Sequence, residues 1–278
     1  MRHKNVPNLG IGISLRPFHY RGILETLPAI DWFEIISEHF MSLQGQNFEF
    51  LEMIAAHYPL VQHGVSLHIG SGDPLDFDYL KQLKELIKFT KTPWFSDHLS
   101  WGKLKGAHYH DLLPLPFTKE VVDYVAEKAK IVQDYMEIPF ALENISSYAS
   151  YKCDEMTEWE FYSAVVEKAD VSMILDVNNI YVSSRNQGYS PKEFIKNIPL
   201  ERIVQIHLAG HRDAGRYLID THDDCVCDAV WELYGEVFPK TSGVSTLLEW
   251  DDRFISLEHT WQEALKAKEY QKLHECAH

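Results

Sequence analysis

"IPFALENIS", residues 138–146, is the segment from which the fold of this chain can be worked out. It is a short apolar run that ends in polar residues, as expected of a buried strand. "EWEFYSAVVEKA" (158–169) follows with apolar residues at helical spacing, and "VSMILDVNNIYV" (171–182) is a second apolar run with its exit. A strand, a helix and a strand in this order predict a βα repeat with parallel strands.

The same alternation extends in both directions along the chain. Strand-like runs cover residues 9–15, 31–37, 59–70, 93–101, 138–146, 171–182, 201–211 and 245–251. Helical patterns cover residues 48–58, 77–91, 118–136, 158–169, 190–198, 228–238 and 260–275. Eight buried-type strands, most of them followed by a helix, predict a single α/β domain over residues 1–278, a (β/α)8 TIM barrel. The alternative is an open doubly wound sheet, but no glycine-rich dinucleotide fingerprint follows the first strand.

Composition restricts the classes of partner. The chain has 278 residues, 45% of them hydrophobic, and a formal net charge of −15. Nucleic acids and anionic membranes are bound mainly through positive charge, so we expect neither as a partner. The N-terminus lacks a signal-peptide pattern, and no segment reaches the roughly 18 apolar residues of a membrane span, so the expected location is cytoplasmic.

The four cysteines are too sparse to predict a disulfide framework. They are Cys153, Cys225, Cys227 and Cys276. Cys225 and Cys227 form a C-x-C pair, which lacks the geometry of the usual C-x-x-C metal knuckle, and helix packing is the simpler interpretation.

Polar residues follow the predicted strands three to eight at the points where these strands end. In a TIM barrel these ends and the loops after them build the active site. A single histidine or carboxylate at such a position is more often a packing residue or a helix cap, but six successive strands with this feature predict a shared site. The residues are His63, His68, Asp97, His98, Glu143, Asn144, Asp176, His207, His211, Glu249 and Asp251, with Asn178, Asn179, Asp220 and His222 from the following loops.

The carboxylates at this predicted mouth require compensation. Two carboxylates about 5 Å apart repel by roughly 3 kcal/mol at an effective dielectric constant near 20. Glu143, Asp176 and Glu249 must therefore either be protonated in part or be neutralised by bound cations. The interspersed imidazoles favour cations, and histidine with carboxylate but no thiolate suits iron, manganese or zinc. The candidate ligands outnumber the needs of one ion, which favours a cluster of two or three.

Eight sequence blocks, in order and spacing, resemble one known family. This is the family of the multinuclear non-haem iron-dependent oxidative enzymes, whose function was long unknown. Its members have a xylose-isomerase-like barrel, and they include the oxidase subunit of methanobactin biosynthesis. The resemblance covers nearly the whole chain, although His68 stands where a small polar residue is more usual and the Cys225/Cys227 pair is unexpected. The blocks are "HGVSLHIGS", "SDHLSW", "HDLLPLP", "ALENISSY", "ILDVNNIYVSSRN", "QIHLAGH", "LIDTHDD" and "LLEWD".

The resemblance implies an oxidoreductase that modifies a cysteine of a ribosomally synthesised precursor peptide. It implies two or three iron ions (Fe2+/Fe3+) as cofactor, O2 as co-substrate and a small partner protein that recognises the peptide leader. Carried over by motif, the first iron would be held by His63, His98 and Glu143. Glu143 would bridge to a second iron, held also by Asp176, His207 and Glu249. A third would be held by Asn179, Asp220 and His222.

Roles beyond metal binding are expected for three residues. Glu143, Asp176 and His211 are the candidate catalytic residues. For His211 two interpretations stay open, namely contact with a metal ligand or contact with substrate.

Two other classes of function remain as alternatives. One is a sugar isomerase or a phosphodiesterase-like barrel that uses Zn(II) or Mn(II). An isomerase needs a lysine near the metals, and none stands at these strand ends, while the charge of −15 argues against a DNA substrate. The other is a non-catalytic iron- or peptide-binding module, which a fold alone does not exclude.

Overall fold

The computed structural model describes residues 6–241 and 243–275, and within them eight parallel strands pair in chain order and close into a barrel. The strands are β1 (Ile11–Ser14), β2 (Trp32–Ile36), β3 (Leu60–His63), β4 (Phe95–His98), β5 (Phe140–Glu143), β6 (Ser172–Asp176), β7 (Ile203–Leu208) and β8 (Ser245–Leu248). Pairing of β1 with β8 closes the ring. The predicted TIM barrel is confirmed.

The helices lie in the connections and after β8. They are α1 (Tyr20–Thr26), α2 (Gln46–Ala55), α3 (Phe77–Thr90), α4 (Lys119–Met136), α5 (Glu158–Ala169), α6 (Val177–Gln187), α7 (Pro191–Lys196), α8 (Asp228–Val237) and α9 (Leu257–Glu275). Local capping fixes where α4 and α5 begin. The Thr118 hydroxyl accepts from the Val121 N–H, and Thr157 forms a reciprocal capping box with Glu160.

Side chains along each strand alternate between the inside and the outside of the barrel. Phe140 and Leu142 of β5 join the large apolar cluster that includes the helices, whereas Ala141 joins a smaller cluster inside the barrel. The buried members of this inner layer are Trp32, Val61, Trp94, Ala141, Ile174, Val204 and Leu247. Two residues further on, the same alternation places polar side chains above the inner layer. These are Glu34, His63, Ser96, Glu143, Asp176 and Glu249.

Strand β3 is shorter than the predicted strand of residues 59–70 and ends at His63. The N–H groups of Val65 and Ser66 donate to the Glu38 carboxylate, and that of Leu67 donates to the Asp97 carboxylate. With these groups bound to side chains, the segment leaves the sheet. His68 therefore lies in the β3–α3 loop and not on a strand.

The exit of strand six also differs from the prediction, because "VNNIYV" begins a helix. The Asp176 carboxylate accepts a hydrogen bond of 2.6 Å from the Asn179 N–H, so the last residue of β6 is also the N-cap of α6. Helix α1 was not predicted either.

Two small antiparallel hairpins were also missed. The mouth hairpin consists of Trp101–Leu104 and Ala107–Leu113, and the second hairpin consists of Arg212–Asp213 and Leu218–Ile219. Both lie in connections that follow barrel strands, β4 and β7, on the side where the active site of a TIM barrel is built.

Cys153 and Cys225 are exposed free thiols and Cys227 is a half-buried one, while Cys276 lies outside the described residues.

In the described part of the chain, no helix combines the length and the apolar character that a membrane span requires.

Candidate metal centre

The first group of potential ligands is formed by β3, β4 and β5. His63 Nε2 lies 3.3 Å from His98 Nε2 and 3.3 Å from Glu143 Oε2, and His98 Nε2 lies 3.6 Å from the same carboxylate oxygen. Ser96 Oγ is 2.8 Å from His63 Nδ1 and can accept its hydrogen bond, which leaves the lone pair of Nε2 facing the other two groups. Three buried donor atoms therefore converge on one point.

The second group shares Glu143 with the first. His207 Nδ1 lies 2.9 Å from Glu143 Oε1 and 3.5 Å from Glu249 Oε2. Asp176 completes a set of four residues whose ligand atoms all lie within 4.8 Å of one another. All four side chains are buried, so these ionisable groups lie together at the floor of the mouth.

The third group lies nearer to solvent and differs from the predicted set. His222 Nδ1 is 3.4 Å from Glu249 Oε2 and 3.3 Å from Asp251 Oδ2, while its Nε2 is 2.7 Å from Asp220 Oδ1. The structure thus brings Asp220 and His222 together, but it adds Glu249 and Asp251.

Asn179 lines the same cavity as His222, but its side-chain amide is engaged elsewhere. Its Oδ1 accepts from Ser146 Oγ at 2.8 Å, and its Nδ2 donates to the Asn144 carbonyl at 3.0 Å. Asn144 in turn bridges β5 and β6, because its side chain bonds both the N–H and the carbonyl of Asp176.

His211 stands apart from the three groups. Its Nδ1 is 2.7 Å from Asn178 Oδ1, and Asn178 Nδ2 donates to Asp220 Oδ1 at 2.8 Å. A carboxylate only accepts hydrogen bonds, so the bond to Asp220 identifies Asn178 Nδ2 as the amide nitrogen. Asn178 Oδ1 is then an acceptor, and His211 Nδ1 must donate to it. His211 therefore contacts the group around His222 through Asn178.

The buried charges fit a cation at the first two groups. Burial opposes ionisation of Glu143, but the imidazoles of His207, His63 and His98 outweigh it and hold the pKa of this carboxyl at about 2. Burial raises the pKa of Asp176 well above its usual value despite the nearby His222. Glu143 Oε2 and Asp176 Oδ2 accept no hydrogen bond from the residues that the structure describes. Two buried, unpartnered carboxylate oxygens beside imidazole nitrogens are a donor set that suits a transition metal.

Glu34 and Gln205 also lie at the candidate centre, although neither was predicted to do so. Trp94 Nε1 donates to Gln205 Oε1 at 2.9 Å, which fixes the amide orientation. Gln205 Nε2 then points at Glu34 Oε2 (2.6 Å) and at His207 Nε2 (2.5 Å). Glu34 stands two residues after Trp32 on β2, so the alternation of the strand was the signal that could have found it.

Arg16 is the buried cation of the third group, and it too was missed. Its side chain is 6% exposed, it forms an ion pair with Asp251, and its Nη2 lies 3.6 Å from Glu249 Oε1. Burial opposes the charge, yet Asp251 and Glu249 keep the pKa of the guanidinium above its ordinary value. The third group thus already contains one positive charge.

An open cavity of about 440 Å³, which we call the mouth cavity, leads to these groups. Its wall includes His98, Asn179, Asp220, His222, Glu249 and Asp251. The cavity is large enough for a side chain and adjoining backbone of a substrate, and its polar groups converge at its floor.

Solved structures with the same architecture are TIM-barrel enzymes. Endonuclease IV from Thermus thermophilus superposes with a TM-score of 0.62 at 15% sequence identity, covering 96% of this chain and 99% of that chain. D-Psicose 3-epimerase from Clostridium cellulolyticum H10, solved with D-tagatose, gives 0.61 at 14% identity, covering 95% and 98%. At these identities the likeness shows the xylose-isomerase-like fold alone.

Sequence comparison defines the family. Residues 10–272 match the family model described as "RiPP precursor modification enzyme MbnB/TglH/ChrH". A UPF0276 protein of Anaeromyxobacter sp. (strain Fw109-5) is 46% identical over 261 residues, covering 94% of this chain and 92% of the relative. One of Caulobacter vibrioides is 41% identical over 250 residues, covering 90% and 89%. The chain belongs to the MbnB/TglH/ChrH family, so the family predicted from the sequence blocks is confirmed.

Proposed function

We propose that this protein is a multinuclear non-haem iron enzyme that uses O2 to oxidise a cysteine of a ribosomally synthesised precursor peptide. The observation that carries the proposal is the pair of histidine–carboxylate groups joined by Glu143 at the floor of an open cavity. Membership of a family of precursor-peptide modification enzymes supports a peptide as substrate. A small partner protein that recognises the peptide leader is part of this proposal.

Two ions would be held by the two buried groups. One would take His63, His98 and Glu143, and the other would take Glu143, Asp176, His207 and Glu249. A third ion would take Asp220 and His222. Asn179 could join them through its amide oxygen if Ser146 gave up its hydrogen bond to that atom.

Bound iron would lower the pKa of the substrate thiol and would supply the redox chemistry with O2. The protein residues would fix the geometry around it. Ser96 orients His63 by accepting from its Nδ1, and Glu34 would orient His207 by accepting a proton carried on its Nε2, so that the other nitrogen of each imidazole faces the floor. Glu143 is 1% exposed, so the carboxylate that two ions would share is shielded from solvent.

We assign His211 to positioning and not to contact with substrate. It holds Asn178, which in turn holds Asp220. Burial lowers the pKa of His211, so its imidazole is neutral near pH 7 and donates to Asn178 through Nδ1. Asp220 is among the residues that line the mouth cavity, so a change at His211 would reach the site through this carboxylate.

A non-redox zinc or manganese enzyme is the alternative, since the epimerase and endonuclease structures share the fold. Sugar isomerases need a lysine near the metals, and in the described part of the chain no lysine lines the mouth cavity. Metal analysis of protein purified without added metals would separate the two proposals. Predominant zinc or manganese would favour the alternative.

The test of the proposed function is a mass change on a cysteine of the substrate peptide. The iron-loaded protein, O2 and a short cysteine-bearing peptide encoded beside its gene are combined with the partner protein. We expect a change in peptide mass with the natural protein, and none with Glu143→Gln, which removes the charge shared by both groups. Glu263→Gln is the matched control, because Glu263 is also a buried carboxylate but is bound to the Val226 N–H and Lys266. An unmodified peptide with fully iron-loaded natural protein would contradict the proposal.

A further inference from the structure

A second histidine cluster lies beside the mouth, outside the groups described above. His68 from the β3–α3 loop faces His108 of the mouth hairpin, with ring centroids 5.6 Å apart, and His108 is 6.4 Å from His110. All three imidazoles line one cavity of about 350 Å³, together with Asp111. This cavity and the mouth cavity share Val65, Asp111 and Leu112 in their walls, so the cluster borders the route to the floor.

The backbone holds these histidines together. His108 and His110 are two residues apart on one strand, so their side chains leave the same face. His68 and His110 both have positive φ, 48° and 53°, a conformation that few non-glycine residues adopt.

Gly102 of the hairpin allows the close approach of His68. A Cβ at position 102 would lie 2.7 Å from His68 Nδ1 and 2.5 Å from the Asp111 carbonyl oxygen. Any side chain there would force the ring and the hairpin apart. The glycine thus keeps His68 against the mouth hairpin, where Nε2 remains as its ligand atom.

His68 is 7% exposed, and its ring lines the cavity. Its Nδ1 lies against Gly102 and has no hydrogen-bond partner among the described residues, so Nε2 would be the atom that binds an ion. Burial, and then the proximity of His108 and Lys103, lower the pKa of His68. Its ring is therefore neutral near pH 7, which is the form that binds metal ions.

We propose that His68, His108 and His110 form a separate site for one divalent transition-metal ion. Two imidazoles bound to a tetrahedral ion at roughly 2.0–2.1 Å have ring centroids about 5 Å apart, which is close to the His68–His108 separation. The ligand atoms of the three histidines do not all lie within 4.8 Å of one another, but His108 and His110 are exposed, so rotation of their side chains can bring them to a common ion. The Asp111 carboxylate or water would complete the coordination.

The ligand set selects the class of ion. Three imidazoles without thiolate suit Zn(II), Ni(II), Cu(II) or Fe(II), whereas Mg(II) and Ca(II) prefer oxygen ligands. This site is independent of the proposed oxidase function, because none of its three histidines belongs to the groups at the barrel floor. Its position beside the mouth would place an ion at the edge of the substrate cavity.

Equilibrium dialysis of the full-length, metal-free protein against Co2+, with metal analysis of the protein, tests the proposal. We expect the double variant His108→Ala/His110→Ala to bind one Co2+ fewer per chain than the natural protein. The matched control is His57→Ala/His259→Ala, which removes two exposed histidines elsewhere and should leave the stoichiometry unchanged. Circular dichroism would establish that both variants are folded.

A second comparison separates this site from the centre at the barrel floor. In the Glu143→Gln background, the His108/His110 double substitution should still remove one Co2+ per chain, together with part of the visible absorption of the bound ion. Equal Co2+ stoichiometry in the natural protein and the double variant would overturn the proposal. Equal losses in the double variant and in the His57/His259 control would also overturn it.

Discussion

Replacement of Glu34 by Gln tests whether the carboxylate behind His207 supports metal binding. Glu34 Oε2 lies 3.4 Å from His207 Nε2, on the side of the ring opposite to Glu143 and Glu249. A metal ion at Nδ1 requires the ring proton to be on Nε2. Glu34 is the acceptor for that proton, while the Gln205 amide nitrogen beside Nε2 is itself a donor and has to move away from the ring. The expected result is weaker binding of the ion shared by Glu143, Asp176, His207 and Glu249.

The size of the effect follows from the distance between the two groups. At 3.4 Å and an effective dielectric constant near 20, unit charges on Glu34 and His207 would interact by roughly 5 kcal/mol, which is an upper limit. The imidazole transmits only part of this effect to the ion, and replacing such a partner typically lowers metal affinity about 10–100-fold. We therefore expect the dissociation constant to rise by this factor, equivalent to about 1.4–2.7 kcal/mol.

The assay is anaerobic equilibrium dialysis against Fe2+, with iron measured per chain. Glu34→Gln keeps the size of the side chain and can still accept from Gln205 Nε2, which bonds Glu34 in the natural protein. Glu263→Gln serves again as the buried control. An Fe2+ affinity within twofold of the natural protein, or an equal loss in the control, would show that Glu34 does not support metal binding by His207.

Three further predictions concern charge and metal removal. Burial raises the pKa of Glu158 from 4.5 to about 7, so the native state holds an extra proton between these values. The stabilisation from this group is complete below about pH 4.5 and is lost as pH rises through 7. In urea unfolding at several pH values, Glu158→Gln should remove this pH dependence of the free energy of unfolding, which amounts to at most about 3 kcal/mol. Arg16→Met should destabilise the metal-free protein in the same assay by less than the roughly 3–5 kcal/mol of a fully uncompensated buried charge, because Glu249 keeps His207 and His222 beside it, and the loss should be smaller still when metal is bound. A chelator should lower the melting temperature of the iron-loaded protein, because free iron at 100 times the dissociation constant of an independent site adds about 2.7 kcal/mol to the free energy of unfolding. The decrease in melting temperature should be smaller for Glu143→Gln.

The barrel and the floor residues could be predicted because they depend on local periodicity. Ala141 and Glu143 illustrate this, since a two-residue step along β5 separates the inner apolar layer from the site. The same step leads from Ile174 to Asp176 on β6. Parallel strands in a closed barrel bring their carboxyl ends to one mouth, so sequence position alone brought these residues together.

The parts that escaped prediction depend on pairings between distant segments. Gln205 and Glu34 are 171 residues apart, and Arg16 and Asp251 are 235 residues apart. Strand alternation indicates that Glu34 faces the barrel interior, but no local pattern in a single sequence encodes which distant residue it meets. The early end of β3 has the same origin, because carboxylates from β4 and from the segment after β2 bind the backbone N–H groups that a longer strand would have used.

The distribution of positive charge distinguishes the three potential metal groups. At the floor, Glu143 and Asp176 each present a buried oxygen without a hydrogen bond from any described residue, and imidazoles supply the nearest compensation. Around His222, Arg16 already forms ion pairs with Asp251 and Glu249. A cation there gains less attraction and is repelled by the guanidinium. The floor groups should therefore bind their ions first, and occupation of the third group should depend on what a bound substrate contributes at the mouth.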